Sequence, residues 1–216
     1  GRSVKRLTFA VALTSLVVLT PALALGQASV SAPPADALRA LQLEALRVAG
    51  GVLLDASREE ADRLNMATVL VRVGDRTALP LLTTTLLHDP FASVRRVVAE
   101  GLGRYQAPEL VFSLREAALT GPIDSVRWAS LVSLLQTDPG QGDILDVLLA
   151  NRNTLSAAAL SLQDSAVLAQ LPAAFHPVVE AAFLSAFPQA DVYNNVERSA
   201  IAKSLAALGS EGAVPV

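Results

Sequence analysis

Arginines recur at a fixed interval along much of this chain. Arg63, Arg95 and Arg127 are each 32 residues apart, and Arg198 stands in a similar local sequence. A row of guanidinium groups could bind carboxylates or phosphates, because each group presents a planar fork of hydrogen-bond donors. The same fork could instead hydrogen-bond a carboxylate or the helix-end carbonyls of a neighbouring repeat. Since Arg95 falls between apolar positions of its predicted helix, we favour the second, structural role.

The other residues that could carry chemistry do not form a recognisable site. The chain has no cysteine, which excludes disulfides, thiolate metal ligands and a cysteine nucleophile. Its two histidines, His88 and His176, lie far apart and lack the spacing of a metal-binding pair. Residues 101–103 lack the third glycine of a dinucleotide-binding loop. We therefore predict no catalytic residue, no metal site and no cofactor.

The arginines belong to a repeated unit. Residues 89–103 are followed 32 residues later by a similar segment that keeps the Ser-Val-Arg sequence, and Leu70, Leu102 and Leu134 share the same spacing. A period near thirty with helical patterning indicates an α-solenoid. One such unit buries too little apolar surface to offset the entropy of ordering it, so neighbouring units must stack. The sequence predicts an all-α fold of about five helical pairs over residues 36–208.

Punctuating residues set the expected helix ends. Gly50-Gly51 is expected to stop the first helix and Gly74 the second, while Ser57 and Glu60 predict a capping box. The Arg127–Arg198 interval exceeds two periods by seven residues, which we place at 188–195. The predicted pairs are 37–49 with 57–73, 77–88 with 91–105, 107–119 with 123–136, 143–150 with 154–169, and 173–187 with 192–208.

The N-terminus reads as a targeting segment. Arg2, Lys5 and Arg6 precede an apolar run over 7–25, and small residues follow. This pattern predicts a signal peptide over 1–28, cleaved after Ala28 or alternatively Ala24, and then a spacer over 29–35. An uncleaved membrane anchor is the competing interpretation. We expect an exported, preferably periplasmic, bacterial protein, because arginine greatly outnumbers lysine, as in GC-rich bacterial genomes.

The two ends of the repeat region match each other. Residues 209–216 overlay residues 74–81 position for position, at the same offset of 135 that relates Arg198 to Arg63. We expect residues 209–216 to begin a further repeat of a fragment whose natural protein continues beyond Val216.

The units resemble HEAT repeats, particularly the HEAT-like repeats of phycobilisome lyases. The resemblance rests on Asp89-Pro90, Val94-Arg95, Ala99 and Leu102-Gly103, and on Ala78-Leu79-Pro80-Leu81-Leu82 after Gly74-Asp75. It covers 57–136 and 195–216, whereas 140–191 matches poorly, with Ala159 where arginine is expected. The resemblance implies a right-handed superhelix of helical pairs that serves as a binding scaffold, and a structural role for the arginines.

The candidate binding residues lie on the second helix of each pair, opposite to the arginines. In HEAT arrays this face lines the concave surface, so the resemblance implies that it meets a partner. Trp128, the lone tryptophan, and the arginines there are residue types that anchor interfaces. Trp128 could equally pack on the spacer or tilt into the core between repeats. The candidates are Leu64, Arg72, Arg96, Glu100, Arg104, Trp128, Val132 and Gln136.

These observations lead to one preferred function and two alternatives. We expect an exported scaffold that binds a protein or peptide on its concave face and has no catalysis of its own. Alternatively, the chain is a repeat module of a larger enzyme or lyase-like protein whose catalytic part lies beyond Val216, or a structural spacer. A net charge of -3 offers no global basic field for nucleic acid. Membrane contact is expected only if the signal segment stays uncleaved.

Overall fold

The computed structural model describes residues 35–55, 57–189 and 195–209. Of these residues 83% are helical, in eleven α-helices and several short 3₁₀ turns with no strand, which confirms the predicted all-α class. They divide into a short N-terminal unit that ends at Leu41 and a main unit that begins at Gln42. The division falls within the first helix. In the described residues no helix combines the length and apolarity that crossing a membrane requires.

The helices follow one another in pairs. Short 3₁₀ turns at Arg76–Ala78, Pro108–Leu110, Pro139–Gln141 and Ala173–Phe175 lead into α3, α5, α7 and α10, the first helices of the later pairs. The helices are α1 Ala35–Leu53, α2 Glu60–Val73, α3 Leu79–His88, α4 Ala92–Leu102, α5 Val111–Thr120, α6 Asp124–Thr137, α7 Asp143–Leu149, α8 Arg152–Ser161, α9 Ser165–Leu168, α10 His176–Ala186 and α11 Asn195–Ala207.

In the main unit the pairs stack side by side, as in a solenoid. The second helices form one row in which α2 packs on α4, α4 on α6, α6 on α8 and α8 on α11. The first helices α3, α5, α7 and α10 form a parallel series of neighbours. Leu70, Leu102 and Leu134, one from each of three successive second helices, are all buried between the rows. Burial of the periodic leucines is what makes each repeat depend on its neighbours.

The helix row allows very close approach between α2 and α4. A Cβ atom added at Gly101 would lie 1.9 Å from Cγ1 of Val71, well inside van der Waals contact. Glycine is therefore required at this position of α4 because the facing helix occupies the space of a side chain.

The prediction that Gly50-Gly51 stops the first helix is wrong. Helix α1 continues through both glycines to Leu53, and Ala49 and Leu53 on either side of them are buried. Two glycines cost a helix about 2 kcal/mol relative to alanine, and the burial of Ala49 and Leu53 offsets that penalty.

The predicted capping box at Ser57 and Glu60 is also wrong. Oδ1 of Asp55 accepts hydrogen bonds from the backbone N–H and the hydroxyl of Ser57, at 2.9 and 2.6 Å. Helix α2 begins at Glu60, and Glu60 accepts a hydrogen bond from Ser93 of α4 instead of reaching back to Ser57. Asp55 binds the serine that a capping box would use, and Ser93 of the neighbouring repeat binds the glutamate.

The end of α2 is set by Gly74. This residue adopts the left-handed conformation with φ of 69°, and its N–H bonds to the carbonyl of Leu70. Gly209 has φ of 81° after α11, so the two glycines that the sequence overlays share one conformation. Glycine reaches positive φ without the steric penalty that other residues pay.

The fourth pair departs from the predicted pattern. The helix expected over 154–169 ends at Ser161, and Asp164 then caps a separate four-residue helix, α9, by accepting from the N–H of Ala166. The link between α8 and α10 has 14 residues (162–175), whereas the link between α4 and α5 has eight (103–110). A further eight (187–194) separate α10 from α11, against three (121–123) between α5 and α6. The extra residues are thus divided between these two links, and 188–195 accounts for only part of them.

Hydrogen bonds between second helices correct the phase of the fourth repeat. The hydroxyl of Ser133 in α6 donates to the carbonyl of Ala99 in α4 at 2.5 Å, and that of Ser204 in α11 donates to Ala159 in α8 at 2.5 Å. Ser204 follows Arg198 by the same six residues that separate Ser133 from Arg127. Ala159 therefore corresponds to Ala99. The prediction from the sequence, which placed Ala159 at an arginine position, is wrong.

Some sequence predictions lie outside the described residues. These are the signal peptide with its cleavage sites or membrane anchor, the spacer up to residue 34, and residues 210–216 of the further repeat.

Candidate functional site

The first arginine of the ladder joins two repeats. Nε and Nη2 of Arg63 in α2 donate to Oδ2 of Asp89, at 2.9 and 2.5 Å, and Asp89 follows α3 of the next pair. Nη1 of Arg63 donates to the carbonyl of Asp55 at 2.7 Å. Both side chains of the ion pair are buried. All three nitrogens of the Arg63 guanidinium therefore donate hydrogen bonds within the protein.

The next two arginines make one contact in common. Nε of Arg95 donates to the carbonyl of Leu86 at 2.7 Å, and Nε of Arg127 donates to the carbonyl of Ala118 at 3.0 Å. In both cases the acceptor lies nine residues earlier, near the end of the first helix of the same pair. Helix-end carbonyls lack intrahelical donors, so each arginine satisfies a group that would otherwise be unpaired. These contacts belong to the structural role and leave no anion-binding row at Arg63, Arg95 and Arg127.

Arg198 differs from the other three. Its guanidinium carbon lies 5.1 Å from the centre of the Phe187 ring, within the range of a cation–π interaction. In the fourth repeat the hydrogen-bond register puts Leu155, four residues before Ala159, in the position of Arg95. Leu155 is buried.

The candidate binding residues lie on α2, on α4 with the 3₁₀ turn Gly103–Tyr105 that follows it, and on α6; we call this set the second-helix stripe. Positions 32 residues apart share one level, so that Leu64, Arg96 and Trp128 start the stripe and Arg72, Arg104 and Gln136 end it. Thr68, Glu100 and Val132 lie between them, and Thr68 uses its hydroxyl to donate to the carbonyl of Leu64. Packed helix axes are about 8–10 Å apart, so residues of one level are neighbours across the stripe.

The α2–α4 part of the stripe is accessible and rich in arginine. Arg72, Arg96 and Arg104 are exposed, whereas Leu64 and Glu100 are half-buried. Nη1 of Arg96 lies 3.5 Å from Oε1 of Glu100. Burial raises the pKa of Glu100; the positive charges of Arg96 and Arg104 oppose this rise, and the negative charge of Asp164 adds to it.

The α6 part of the stripe is closed, which corrects the prediction that Trp128 and Val132 face a partner. Their exposed fractions are only 1% and 2%. Gln136 is half-buried, and its Nε2 donates to the carbonyl of Gln170 at 2.8 Å. The prediction from helical angles considered α6 by itself. In the structure, α6 packs between α4 and α8, and additional residues follow α8. Trp128 is therefore packed within the protein and does not face a partner.

The segment that follows α8 contacts the end of α6. We call residues 162–171 the strap; it contains α9. The carbonyl of Gln170 accepts a hydrogen bond from Nε2 of Gln136, in the last turn of α6.

Sequence reasoning missed an ion pair that joins the last two second helices. Glu197 of α11 accepts from Nε and Nη2 of Arg152, at 3.2 and 2.7 Å, and from the hydroxyl of Ser156 at 2.8 Å. The hydrogen bond from Arg152 lowers the pKa of Glu197; burial opposes this shift and Ser156 adds to it. Because 45 residues separate Arg152 from Glu197 and the repeat is irregular there, no spacing signal marked the pair.

A cavity of about 410 Å³ adjoins this ion pair, with Asp146, Arg152 and Glu197 among its lining residues. The described residues contain no cluster of three or more histidine, aspartate or glutamate side chains arranged to hold a metal ion. The arrangement of Arg152 and Glu197 is that of a link between repeats.

Comparison with known proteins identifies the repeats. Residues 52–135 match the family model of HEAT repeats, and these residues include α2 to α5 and most of α6. No curated protein and no solved structure matches the chain. HEAT repeats form scaffolds that are used in protein interaction. Residues 52–135, with their stacked helical pairs and periodic arginines, are thus similar to HEAT repeats.

Proposed function

We propose that this protein is a scaffold that binds a protein or peptide partner along the α2–α4 part of the second-helix stripe, without catalysis of its own. The observation that carries the proposal is the exposure of Arg72 on α2, Arg96 on α4 and Arg104 in the 3₁₀ turn that follows α4, where α2 and α4 pack together. The buried arginines of the ladder stabilise the helices, whereas these three make no comparable contact with the core. Their arrangement on a rigid surface reduces the entropic cost of binding.

The partner is proposed to present carboxylates. Arg72 and Arg104 share one level of the stripe, and Arg96 lies two turns earlier on α4. Guanidinium groups bind carboxylates with two parallel hydrogen bonds, which gives geometric specificity as well as energy. Glu100 lies between Arg96 and Arg104 and pairs only loosely with Arg96, so a partner carboxylate can compete for that arginine.

Binding of designed helical peptides tests this function. Three peptides of equal length and helicity, one with a row of glutamates, one with glutamines and one with lysines, are titrated into the protein by calorimetry. We expect binding of the glutamate peptide alone, weakened as salt rises because exposed charges are screened.

The matched variants are Arg72→Glu with Arg104→Glu on the stripe, and Arg115→Glu on α5 in the first-helix row. The stripe variant should lose about tenfold or more in affinity, corresponding to about 1.4 kcal/mol, and the α5 variant should bind normally. Equal binding of the three peptides, or equal loss in both variants, would exclude the α2–α4 stripe as the binding surface.

We also propose that the protein is exported. The support is the basic start, apolar run and small residues over 1–28 in the sequence. N-terminal sequencing of the protein recovered from the periplasm of a bacterial host should show a start at residue 29 or 25. An intact N-terminus in the cytoplasmic fraction would contradict export.

A further inference from the structure

We propose that the cavity between the fourth and fifth pairs is a binding site for the guanidinium group of an arginine side chain from a partner protein. The cavity has a volume of about 410 Å³ and lies where α7 and α8 meet α10 and α11. It adjoins Leu155, the residue at which the arginine ladder is interrupted. This site is separate from the α2–α4 part of the second-helix stripe, and the proposal does not depend on that surface.

In the second and third pairs, the ladder arginine completes the end of the first helix. The carbonyls of Leu86 and Ala118 are each followed four residues later by a proline, which has no N–H to donate to them. Arg95 and Arg127 supply the missing donors, at 2.7 and 3.0 Å. In these pairs an arginine side chain therefore spans the space between the second helix and the end of the first.

The fourth pair differs at this point. Leu155 stands at the ladder position, and the carbonyl nine residues earlier belongs to Asp146. The position of the two prolines is occupied by Ala150, whose N–H donates to the carbonyl of Asp146 at 3.0 Å, so the helix end needs no arginine. Leu155 and Asp146 both line the cavity. The cavity therefore lies along the path that an arginine side chain takes in the two preceding pairs.

The apolar part of the lining fits the stem of an arginine side chain. Long cationic side chains place their methylene groups against apolar surface and keep the charged end near polar groups. The volume of the cavity is within the range of small-ligand sites, so a side chain of this size can enter. The apolar walls are formed by Leu149, Ala150, Leu155, Ala182 and Ala186.

The charges at the cavity favour a cation. Among the described residues that line it, Asp146 and Glu197 are carboxylates and Arg152 is the one cation. Nε and Nη2 of Arg152 both donate to Glu197, so these two charges balance each other. No ion pair joins Asp146 to another side chain in the part of the chain that the structure describes. The carboxylate of Asp146 is therefore the uncompensated charge that a guest cation would meet.

A guanidinium group suits this site better than an ammonium group. Its planar fork can donate two parallel hydrogen bonds to the carboxylate of Asp146, whereas an ammonium group acts as a point charge. A guanidinium group is also more weakly hydrated, which lowers the cost of entering a cavity with apolar walls. We therefore expect arginine, and not lysine, to be the side chain that enters.

Three short peptides test the ligand. Each has two glycines on either side of a central arginine, citrulline or lysine, and citrulline keeps the shape of arginine without its charge. Binding is followed by the NMR signals of labelled leucine methyl groups, because Leu149 and Leu155 line the cavity. We expect the arginine peptide to shift these two signals and to bind at least about tenfold more tightly than the other peptides. Equal binding of the three peptides, or unchanged signals of both leucines, would overturn the proposal.

Two matched variants test the carboxylate. Asp146→Asn keeps the shape of the side chain and should weaken binding of the arginine peptide about tenfold. Asp143→Asn changes an exposed aspartate three residues earlier in α7, outside the lining of the cavity, and should bind normally. If both variants bound the peptide equally well, the assignment to Asp146 and with it the proposal would be overturned.

Filling the cavity should abolish binding. Leu155→Arg restores the ladder residue, so that its own guanidinium group takes the place of the guest. Because Leu155 is buried and this variant could unfold, Ala182→Leu fills the cavity more mildly from the half-buried wall of α10. A variant with unchanged helical circular dichroism that binds the arginine peptide as the parent protein does would overturn the proposal. The glutamate-peptide titration reads only α2–α4, so the two proposals can fail separately.

Discussion

The regular repeats α2 to α6 and the irregular repeats α7 to α11 solve the same packing problem with different residues. In the regular part, arginines of the second helices reach inward, to Asp89 or to helix-end carbonyls. In the irregular part, Leu155 takes the ladder position, and the ion pair of Arg152 and Glu197 joins α8 to α11 from the side. The arginine contacts of the regular part recur with the repeat period, whereas the Arg152–Glu197 pair occurs once among the described residues and is partly solvated.

The difference also changes the stripe. Where the period holds, α4 packs on α2 and Arg96 on its outward face stays exposed. Where the period fails, α8 and the additional residues after it follow α6, and Trp128 and Val132 of α6 are buried. The comparison predicts that the buried, periodic links dominate stability.

The largest effect is expected for Arg63→Ala. This change leaves Asp89 buried without its partner, and removal of one member of a buried ion pair costs about 3–5 kcal/mol. The matched change in the irregular part is Arg152→Ala. We expect it to cost about 1 kcal/mol or less, because the side chain of Arg152 is 59% exposed and Ser156 still serves Glu197. Urea unfolding followed by circular dichroism measures both.

The double variant Arg63→Met with Asp89→Leu is the control for this prediction. It removes both charges together and should recover much of the lost stability, since apolar pairs often replace buried ion pairs without loss. If Arg152→Ala destabilised the protein as much as Arg63→Ala, the distinction between the two parts would be lost.

A smaller effect is expected for Gly101→Ala in the regular part. The added Cβ meets the Val71 side chain at 1.9 Å, so α2 and α4 must move apart, at a cost of about 1–3 kcal/mol. Val71→Ala in the same chain should restore part of the stability by making room. Thermal unfolding of the two single variants and the double variant measures this coupling. Strictly additive losses would show that the helices do not pack so closely.

The smallest effect is expected for the pH dependence of the Arg152–Glu197 link. The pKa of Glu197 lies below its ordinary value of 4.5 in the folded protein, so the unfolded state binds the proton more readily. The stabilisation is complete above about pH 4.5 and is lost as the pH falls through the lowered pKa. Unfolding midpoints between pH 3 and 7 should fall less steeply in Glu197→Gln than in the parent protein. Parallel profiles would remove Glu197 as a contributor.

Much of the regular part could be predicted from the sequence, because its signals are local and repeated. The leucine at 70, 102 and 134 and the glycine at 74 each act through the helix that contains them. The burial of Trp128 could not be predicted in this way. It depends on the elements that pack around α6, and no residue of α6 carries that information.

The hydrogen-bond partners of individual polar groups could not be predicted from the sequence either. Ser57 and Glu60 have the spacing of a capping box, yet Asp55 and Ser93 claim them. Hydrogen-bonding groups pair with whichever partner the folded chain brings nearest, and a partner 33 residues away leaves no mark on local spacing.

The sequence by itself determined the helical class and the repeat period, because apolar residues at constant intervals can be buried only by stacking helical pairs. The tertiary structure decided which of those helices keep a free face. Access to a surface depends on the whole chain around it, and here Trp128 is buried while Arg96, at the same position of the preceding repeat, is exposed.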